Sequence, residues 1–262
     1  MSVDRLSLNS MTADRWSLAE VIDACAEYGV EWIGPWRHKL DDVEDARRRI
    51  DAAGLKVSSL CRGGFFTADG ADEDNRLAVE QAAALGTDVL VLVCGPPRTR
   101  DLAAARATIE AGIERLLAHA REHGVRLGIE PLHPMMIGER SAIVTLGEAL
   151  DIAERIGDEH VGVVIDVYHV FWDPRIEEQI ARASGRIVGF HVNDWLAATS
   201  HTLLERGMMG DGIIELRRLR ELVDAAGYDG PIEVEILNPA IWDLPRHELM
   251  STTIERFEAC VL

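Results

Sequence analysis

The sequence predicts an α/β fold of the (β/α)₈ barrel type, in a single domain that covers residues 1–262. Short apolar runs alternate with longer amphipathic runs along the whole chain, and we count eight of each kind. Because a helical run follows each apolar one, every return to the sheet crosses over through a helix, which gives parallel pairing. A length of 262 residues suits one such barrel. No linker-like change in composition divides the chain.

The individual elements follow from this alternation. The predicted strands cover residues 6–8, 31–34, 56–60, 89–93, 126–129, 161–165, 187–190 and 232–236. The predicted helices cover residues 17–29, 42–54, 72–86, 102–124, 145–157, 174–184, 214–227 and 247–259. An open doubly wound sheet is the alternative. That fold would place a Gly-rich phosphate-binding turn after the first strand, but residues 6–17 (LSLNSMTADRWS) contain no glycine.

The overall charge and the cysteine pattern narrow the class of protein. A formal net charge of -18 disfavours phosphate backbones and anionic membranes as partners. The four cysteines form no Cys-x-x-Cys pair, which is typical of reduced thiols in the cytoplasm. No apolar stretch approaches the length that spans a bilayer, and the first residues lack the apolar core of a signal peptide. We therefore expect a cytoplasmic protein without a nucleic-acid or membrane partner.

Four side chains with metal-ligand chemistry stand at the ends of four predicted strands. They are Glu130, Asp166, His191 and Glu235. The carboxyl ends of barrel strands open onto one face, so these side chains should converge there. A single strand-end carboxylate more often caps a helix or pairs with an arginine, but four together favour a shared cation. Glu233 points to the same side of its strand as Glu235 and is the alternative ligand, although Glu235 lies nearer the strand end.

Other residues just past the strand ends are candidates for contacts with a substrate. We predict His169, Asp194, Trp36 and Arg62 in this role. His169 follows Asp166 by three residues and is within reach of the same pocket. The alternative for His169 is an ordinary loop histidine bonded to a carbonyl.

The donor set predicts the metal and the chemistry. Three carboxylates and one imidazole suit one divalent ion, with Mn²⁺ preferred and Mg²⁺, Co²⁺ or Zn²⁺ as alternatives. Such an ion can polarise a substrate carbonyl and stabilise an enediolate. Glu130 and Glu235 stand on widely separated strands, so they could approach a substrate from two sides and act as acid and base.

At these residues the chain resembles a known superfamily. The matching segments are GIEPL (128–132), IDVYH (165–169), GFHVND (189–194), GDGIIEL (210–216) and GYDGPIEVEIL (227–237). They are similar to the sugar phosphate isomerase/epimerase superfamily, a group of xylose isomerase-like TIM barrels that includes ketose 3-epimerases, inosose isomerases and endonuclease IV. The resemblance implies a metal site of Glu130, Asp166, His191 and Glu235, and proton exchange between the two glutamates and the substrate. It also implies that His169 contacts the substrate, and it allows a homodimer.

The chain departs from the ketose 3-epimerase pattern in two places. Those enzymes carry an arginine six residues after the metal histidine, where this chain has Ala197, although Asp194 supplies their acid at three residues. After Glu130-Pro131-Leu132 they carry a polar stretch, where this chain has His133-Pro134-Met135-Met136. The resemblance therefore implies a substrate other than a plain ketohexose bound in the same manner.

The sequence leaves four candidate functions for this protein. The leading prediction is a metal-dependent isomerase or epimerase for a small sugar or keto-polyol. A lyase or dehydratase acting on a keto-sugar, inosose or 3-keto-glycoside would use the same site and is the alternative. A nuclease of the endonuclease IV type is more remote, because Arg62 and Cys94 stand where that type needs histidines. A non-catalytic barrel is the last, and the presence of all four candidate ligands argues against it.

Overall fold

Parallel strands form the inner wall of a barrel in the computed structural model, which describes residues 3–262. Met1 and Ser2, which the predicted domain includes, lie outside the described residues. In chain order the strands are β1 (Leu6–Asn9), β2 (Trp32–Gly34), β3 (Lys56–Val57), β4 (Leu60–Gly64), β5 (Val89–Val93), β6 (Arg126–Glu130), β7 (Val161–Asp166), β8 (Ile187–Val192), β9 (Asp194–Trp195), β10 (Arg206–Gly207) and β11 (Ile232–Val234). All except the β9–β10 hairpin belong to the barrel. The predicted (β/α)₈ barrel is confirmed.

The third predicted strand is split into two pieces. The strand order is β3-β2-β1-β11-β8-β7-β6-β5-β4, so β3 and β4 stand at the two ends of the sheet. They are consecutive in the chain, but each has a different neighbour in the sheet: β3 pairs with β2, and β4 pairs with β5. A parallel bridge between Trp36 and Cys61 joins the two ends. The seam of the barrel therefore lies within residues 56–64.

Helices follow the strands and cover the outside of the barrel. They are α1 (Leu18–Tyr28), α2 (Val43–Ala52), α3 (Ala71–Leu85), α4 (Leu102–Glu122), α5 (Leu146–Ile156), α6 (Val167–Val170), α7 (Ile176–Arg182), α8 (Leu216–Ala225), α9 (Pro239–Trp242) and α10 (Arg246–Arg256). Reciprocal capping boxes start α1 and α5, through Ser17 with Glu20 and Thr145 with Glu148. Over residues 3–262, none of the helices combines the length and the apolar composition of a membrane-spanning segment.

The strands alternate between two cores. On β5, Val89 and Val91 point into the barrel, and Leu90 and Leu92 point outward to the helices. The inward-facing apolar residues that pack together inside the barrel are Cys61, Val89, Val91, Val164 and Val188, which we call the valine layer. It fills the barrel below its mouth, and the buried charged groups of the interior lie above it, toward the carboxyl ends of the strands.

Candidate metal centre

The four predicted ligands meet at the mouth of the barrel. Glu130 ends β6, Asp166 ends β7, His191 lies in β8 and Glu235 directly follows β11. All four side chains are buried. One ligand atom from each residue lies within 4.8 Å of the others. The structure therefore brings together the residues that the sequence proposed as a set.

A bulge in β8 aims His191 into this cluster. Val163 pairs with Ile187, but the next residue, Val164, pairs with Gly189, so Val188 is an extra residue. Val188 and His191 both face the interior although they are three residues apart. Strict alternation counted from Val188 would have turned His191 outward. The extra residue restores the imidazole to the inner face, as bulges beside functional sites commonly do.

Arg206 links the carboxylates, and the sequence reasoning missed it. Its Nη1 donates to Oδ2 of Asp166 and to Oε2 of Glu235, at 2.8 Å in both cases. Its Nη2 lies 3.2 Å from Nε2 of His169. The guanidinium also lies over the Tyr168 ring, 4.7 Å from the ring centroid. This buried arginine supplies a positive charge beside the cluster. Nothing in the sequence predicted this charge, since Ala197 occupies the position where ketose 3-epimerases carry an arginine.

The β9–β10 hairpin carries Arg206 to the mouth. Arg206 pairs antiparallel with Trp195, so the chain leaves the barrel after β8 and returns through residues 196–205. The side chain of Asn238 donates to the Arg206 carbonyl at 2.9 Å and fixes the returning strand. No spacing rule in the sequence points to this return. The available signal was a lone arginine close before the Gly210-Asp211-Gly212 turn.

Glu233 lies in the same polar layer and supports the cluster from the side. Its carboxylate accepts from Ser59 Oγ at 2.6 Å and from Asn9 Nδ2 at 3.0 Å. Asn9 Nδ2 also donates to Glu235 at 3.2 Å. Nε2 of His191 lies 3.7 Å from the Glu233 carboxylate. Glu233 thus faces His191 with its own partners already in place, while Glu235 is the one of the two that joins the four-residue cluster.

The electrostatics of the cluster depend on burial and on the neighbouring charges. Burial, followed by the Glu235 charge, raises the pKa of Glu130. Burial also raises the pKa of Glu235, against the opposing effect of Arg206. For Asp166 burial is outweighed by Arg206 and the nearby histidines, which lower its pKa. The carboxylates around His191, Glu233 foremost, overcome its burial and raise its pKa to about 9.

These residues fit a divalent cation. Glu130 Oε1 and both ring nitrogens of His191 are buried and have no hydrogen-bond partner among residues 3–262. Buried polar atoms of this kind normally have a partner. The four carboxylates are Glu130, Asp166, Glu233 and Glu235. The guanidinium of Arg206 is the one permanent positive charge bonded to this group. A divalent ion would offset part of the remaining negative charge and would supply a partner for the unpaired atoms, with His191 binding as a neutral imidazole.

His169 lies beside the cluster as a buried, neutral imidazole. Burial lowers its pKa to about 3, against the effect of Asp166. Its Nδ1 lies 3.2 Å from the backbone N of His133, and its Nε2 faces Arg206. Both of these neighbours are donors, whereas a neutral imidazole has only one nitrogen lone pair to accept with. One of the two ring nitrogens therefore remains available to a different partner.

A narrow cavity above the cluster combines a polar base with an apolar rim. The lining residues are Trp36, Cys61, Val93, Glu130, Leu132, Met136, Arg140, His169, Leu203, Arg206, Glu235 and Leu237. Two predicted substrate-contact residues, Trp36 and His169, line it. Arg62 does not: it is the extra residue of a bulge in β4, and its guanidinium lies over the Phe65 ring, 4.2 Å from the centroid.

Asp194 also faces away from the cavity. Its carboxylate accepts backbone N–H bonds from Gly210 and Gly212 at 2.9 Å and from Ile214 at 3.0 Å. A further bond comes from the N–H of Trp195. The Gly-Asp-Gly turn thus binds an anion, but that anion is the Asp194 carboxylate. The structure gives Asp194 a place in the loop, where the sequence had predicted a contact with substrate.

Comparison with known proteins defines the class. The model of the family described as xylose isomerase-like TIM barrel matches residues 22–260. The chain belongs to this family. A solved structure of the protein SMc04130 from Sinorhizobium meliloti 1021 is 45% identical, with a TM-score of 0.95 and 99% of each chain covered.

More distant relatives carry functional names. The inosose isomerase of Halalkalibacterium halodurans is 26% identical over 137 residues, which is 51% of this chain and 47% of that protein. The chain thus matches about half the length of the curated relatives. The structure of the IOLI protein with a bound zinc atom shares the fold at a TM-score of 0.86 and 19% identity, covering 98% of both chains.

Proposed function

We propose that this protein is a divalent-metal-dependent isomerase or epimerase that moves a proton α to the carbonyl of a sugar or keto-polyol. The observation that carries the proposal is the convergence of Glu130 and Glu235 on one buried cluster. In the barrel wall β6 and β11 are separated by β7 and β8, so the two carboxylates reach the cavity from different sides. Two carboxylates in this arrangement can remove a proton from one face of a carbon and return one to the other.

Glu130, Asp166, His191 and Glu235 would hold the ion, with Mn²⁺ preferred. A divalent ion at this position would polarise the substrate carbonyl and stabilise the negative charge that builds up when the α-proton leaves. The unpaired atoms of Glu130 and His191 support this assignment. The zinc atom bound by the IOLI protein, which has the same fold, is consistent with it.

The protein side chains would handle the protons. Burial raises the pKa of both Glu130 and Glu235 toward the range in which a carboxyl group can both accept and release a proton near neutral pH. Arg206 would keep Asp166 ionised and hold the Glu235 carboxylate in place through its bonds to both. Burial keeps His169 neutral, so it would exchange hydrogen bonds with a substrate hydroxyl without carrying charge.

The cavity favours a keto-polyol as the substrate class. Its base offers the carboxylates, His169 and Arg206 to carbonyl and hydroxyl oxygens, whereas Leu132, Met136 and Leu203 form an apolar rim. An inosose, a ring with both apolar edges and hydroxyl groups, matches this division. The inosose isomerases that share part of the sequence support the same class.

The test is proton exchange in D₂O. Mn²⁺-loaded protein is incubated with a panel of inososes and keto-sugars, and deuterium incorporation is followed by NMR. We expect incorporation at the α-carbon, and we expect Glu130→Gln and Glu235→Gln each to lower its rate at least about 100-fold while substrate still binds. Glu139→Gln, an exposed glutamate on the loop after β6, is the matched control and should behave as wild type.

The products distinguish the two enzyme classes. Exchange accompanied by an isomer or epimer supports the proposal, whereas exchange accompanied by loss of water or of a glycosyl group identifies a lyase, which shares the first proton transfer. Exchange at the wild-type rate in both glutamine variants would rule out the two-glutamate mechanism. The homodimer and the cytoplasmic location stay predictions.

A further inference from the structure

A second group of metal-ligating side chains lies on the outer surface, away from the barrel mouth. Glu80 on α3 faces His119 on α4 and His123, which directly follows α4. One ligand atom from each of the three residues lies within 4.8 Å of the others. We propose that they form a second cation site, of the zinc type, that joins α3 to α4. Nothing in this site depends on the proposed enzymatic function.

His119 supplies the first reason. It is buried, with 5% of its side chain exposed. Neither ring nitrogen has a hydrogen-bond partner within residues 3–262, although Nε2 is only 3.2 Å from Glu80 Oε1. The two groups are therefore close, but the ring does not direct an N–H at the carboxylate. A buried imidazole without a partner costs free energy, and a cation between Nε2 and the carboxylate would satisfy both groups.

His123 supplies the second reason. Its Nδ1 lies 2.9 Å from the carbonyl oxygen of His119, which fixes the proton on Nδ1 and leaves the Nε2 lone pair free. The two rings are 4.3 Å apart between centroids. Histidines four residues apart on a helix present their rings on one face, a spacing that many metal-binding helices use. A carbonyl that holds the second nitrogen of a metal-bound histidine is the usual supporting contact.

Two further features favour a positive ion here. Oε2 of Glu122 lies 3.8 Å from Nδ1 of His119, where it can orient the ring as a positioning residue. The site is also at the carboxyl end of α4, where the helix dipole attracts positive charge. Two imidazoles and one carboxylate suit Zn²⁺ and leave one coordination position for water. Glu80 and His123 are exposed, so an ion can reach the site from solvent.

The experiment counts zinc. Full-length metal-free protein is titrated with Zn²⁺ alone by calorimetry, and bound zinc is measured after gel filtration. We expect one zinc per chain fewer in His123→Gln and in Glu80→Gln than in wild type. His247→Gln, an exposed histidine on α10, is the matched control and should keep the wild-type number. Glu122→Gln should keep the number but weaken binding at this site about tenfold.

The difference between variants separates this site from the barrel mouth. If the mouth also binds zinc, wild type holds two ions and His123→Gln one; if the mouth does not, the numbers are one and zero. Both exposed variants should match the wild-type Tm without zinc, and added zinc should raise the Tm of wild type more than theirs. An unchanged zinc number in folded His123→Gln would overturn the proposal.

Discussion

Two adjacent layers of side chains inside the barrel differ in composition and in what they contribute to the protein. The valine layer is apolar, and each of its four valines can contribute about 2 kcal/mol by leaving water. Directly above it, the acidic layer consists of Glu130, Asp166, His191, Glu233 and Glu235. On β7 the change from Val164 to Asp166 takes one step of two residues. Along β7 the apolar layer and the candidate site are thus about 7 Å apart.

The carboxylates of the acidic layer can stay buried because hydrogen-bond donors face most of them. Arg206, Asn9 and Ser59 supply the donors for its carboxylates. A buried carboxylate without such partners would shift its pKa or destabilise the fold. Substitutions in the two layers should therefore have different effects. Those in the valine layer should change the free energy of unfolding, and those in the acidic layer should change ion binding and proton transfer.

The largest expected effect comes from Arg206→Met. Without the guanidinium, Asp166 and Glu235 remain buried and unpaired, so we expect the metal-free protein to lose about 3 kcal/mol of unfolding free energy. Mn²⁺ should recover part of this loss, because the ion replaces the missing positive charge. Urea unfolding with and without Mn²⁺ measures both values. Arg98→Met, which breaks an exposed pair with Asp69, should cost less than about 1 kcal/mol. Equal losses in the two variants would contradict the account.

Val91→Ala should have the next largest effect on stability. The substitution leaves a cavity in the valine layer, and we expect a loss of about 2 kcal/mol in urea unfolding. Deuterium exchange on the substrate should stay near the wild-type rate, because no ligand or proton donor has moved. Val43→Ala, on the half-buried face of α2, is the control with a smaller loss. A collapse of exchange activity in folded Val91→Ala would show that the two layers are not separable.

The pH dependence of the metal-free protein should reveal the acidic layer. The folded-state pKa of His191 is raised to about 9, so its stabilising contribution is full below about pH 6.5 and is lost as pH rises through 9. Glu130 acts in the same direction, because its raised pKa means that the folded state holds that proton more tightly. We expect unfolding free energy to fall by an amount on the order of 2 kcal/mol from pH 6 to 9. Saturating Mn²⁺ should flatten this curve; a metal-free protein that gains stability with pH would refute it.

Glu233→Gln should have the smallest effect of the four. The amide can still accept from Ser59, but it no longer faces His191 with a negative charge. Supporting contacts of this kind typically change metal affinity about tenfold. A Mn²⁺ titration followed by calorimetry measures the change, with exposed Glu221→Gln as the control. Complete loss of Mn²⁺ binding would instead make Glu233 a direct ligand.

The sequence predicted the barrel from the regular alternation of strands and helices, and the convergence of four residues from their position at strand ends. Glu233 and Glu235 share the inner face as the two-residue period requires. The same period fails for His191, which depends on the bulge at Val188, and for Arg62, which is itself a bulged residue. A bulge adds one residue without a distinct composition, so no local pattern announces it.

Contacts between residues far apart in the chain could not be predicted from the sequence either. Arg206 reaches Asp166 across forty residues of chain, through a hairpin that no turn signature marked. Asp194 was predicted to contact a substrate, but its partners are Gly210 and Gly212, in a turn whose approach depends on the fold. These contacts are set by tertiary packing and not by the local run of residues.

The β9–β10 hairpin has an evolutionary consequence. Its two strands are bonded to each other, and residues 196–205 form an excursion at the barrel mouth. Leu203 within it contributes to the apolar rim, while Arg206 at its base is anchored independently by Asn238. The length of the excursion can therefore change without displacing Arg206. Such a change would alter the apolar rim of the cavity and leave β6, β7, β8 and β11, which carry the four candidate ligands, in place.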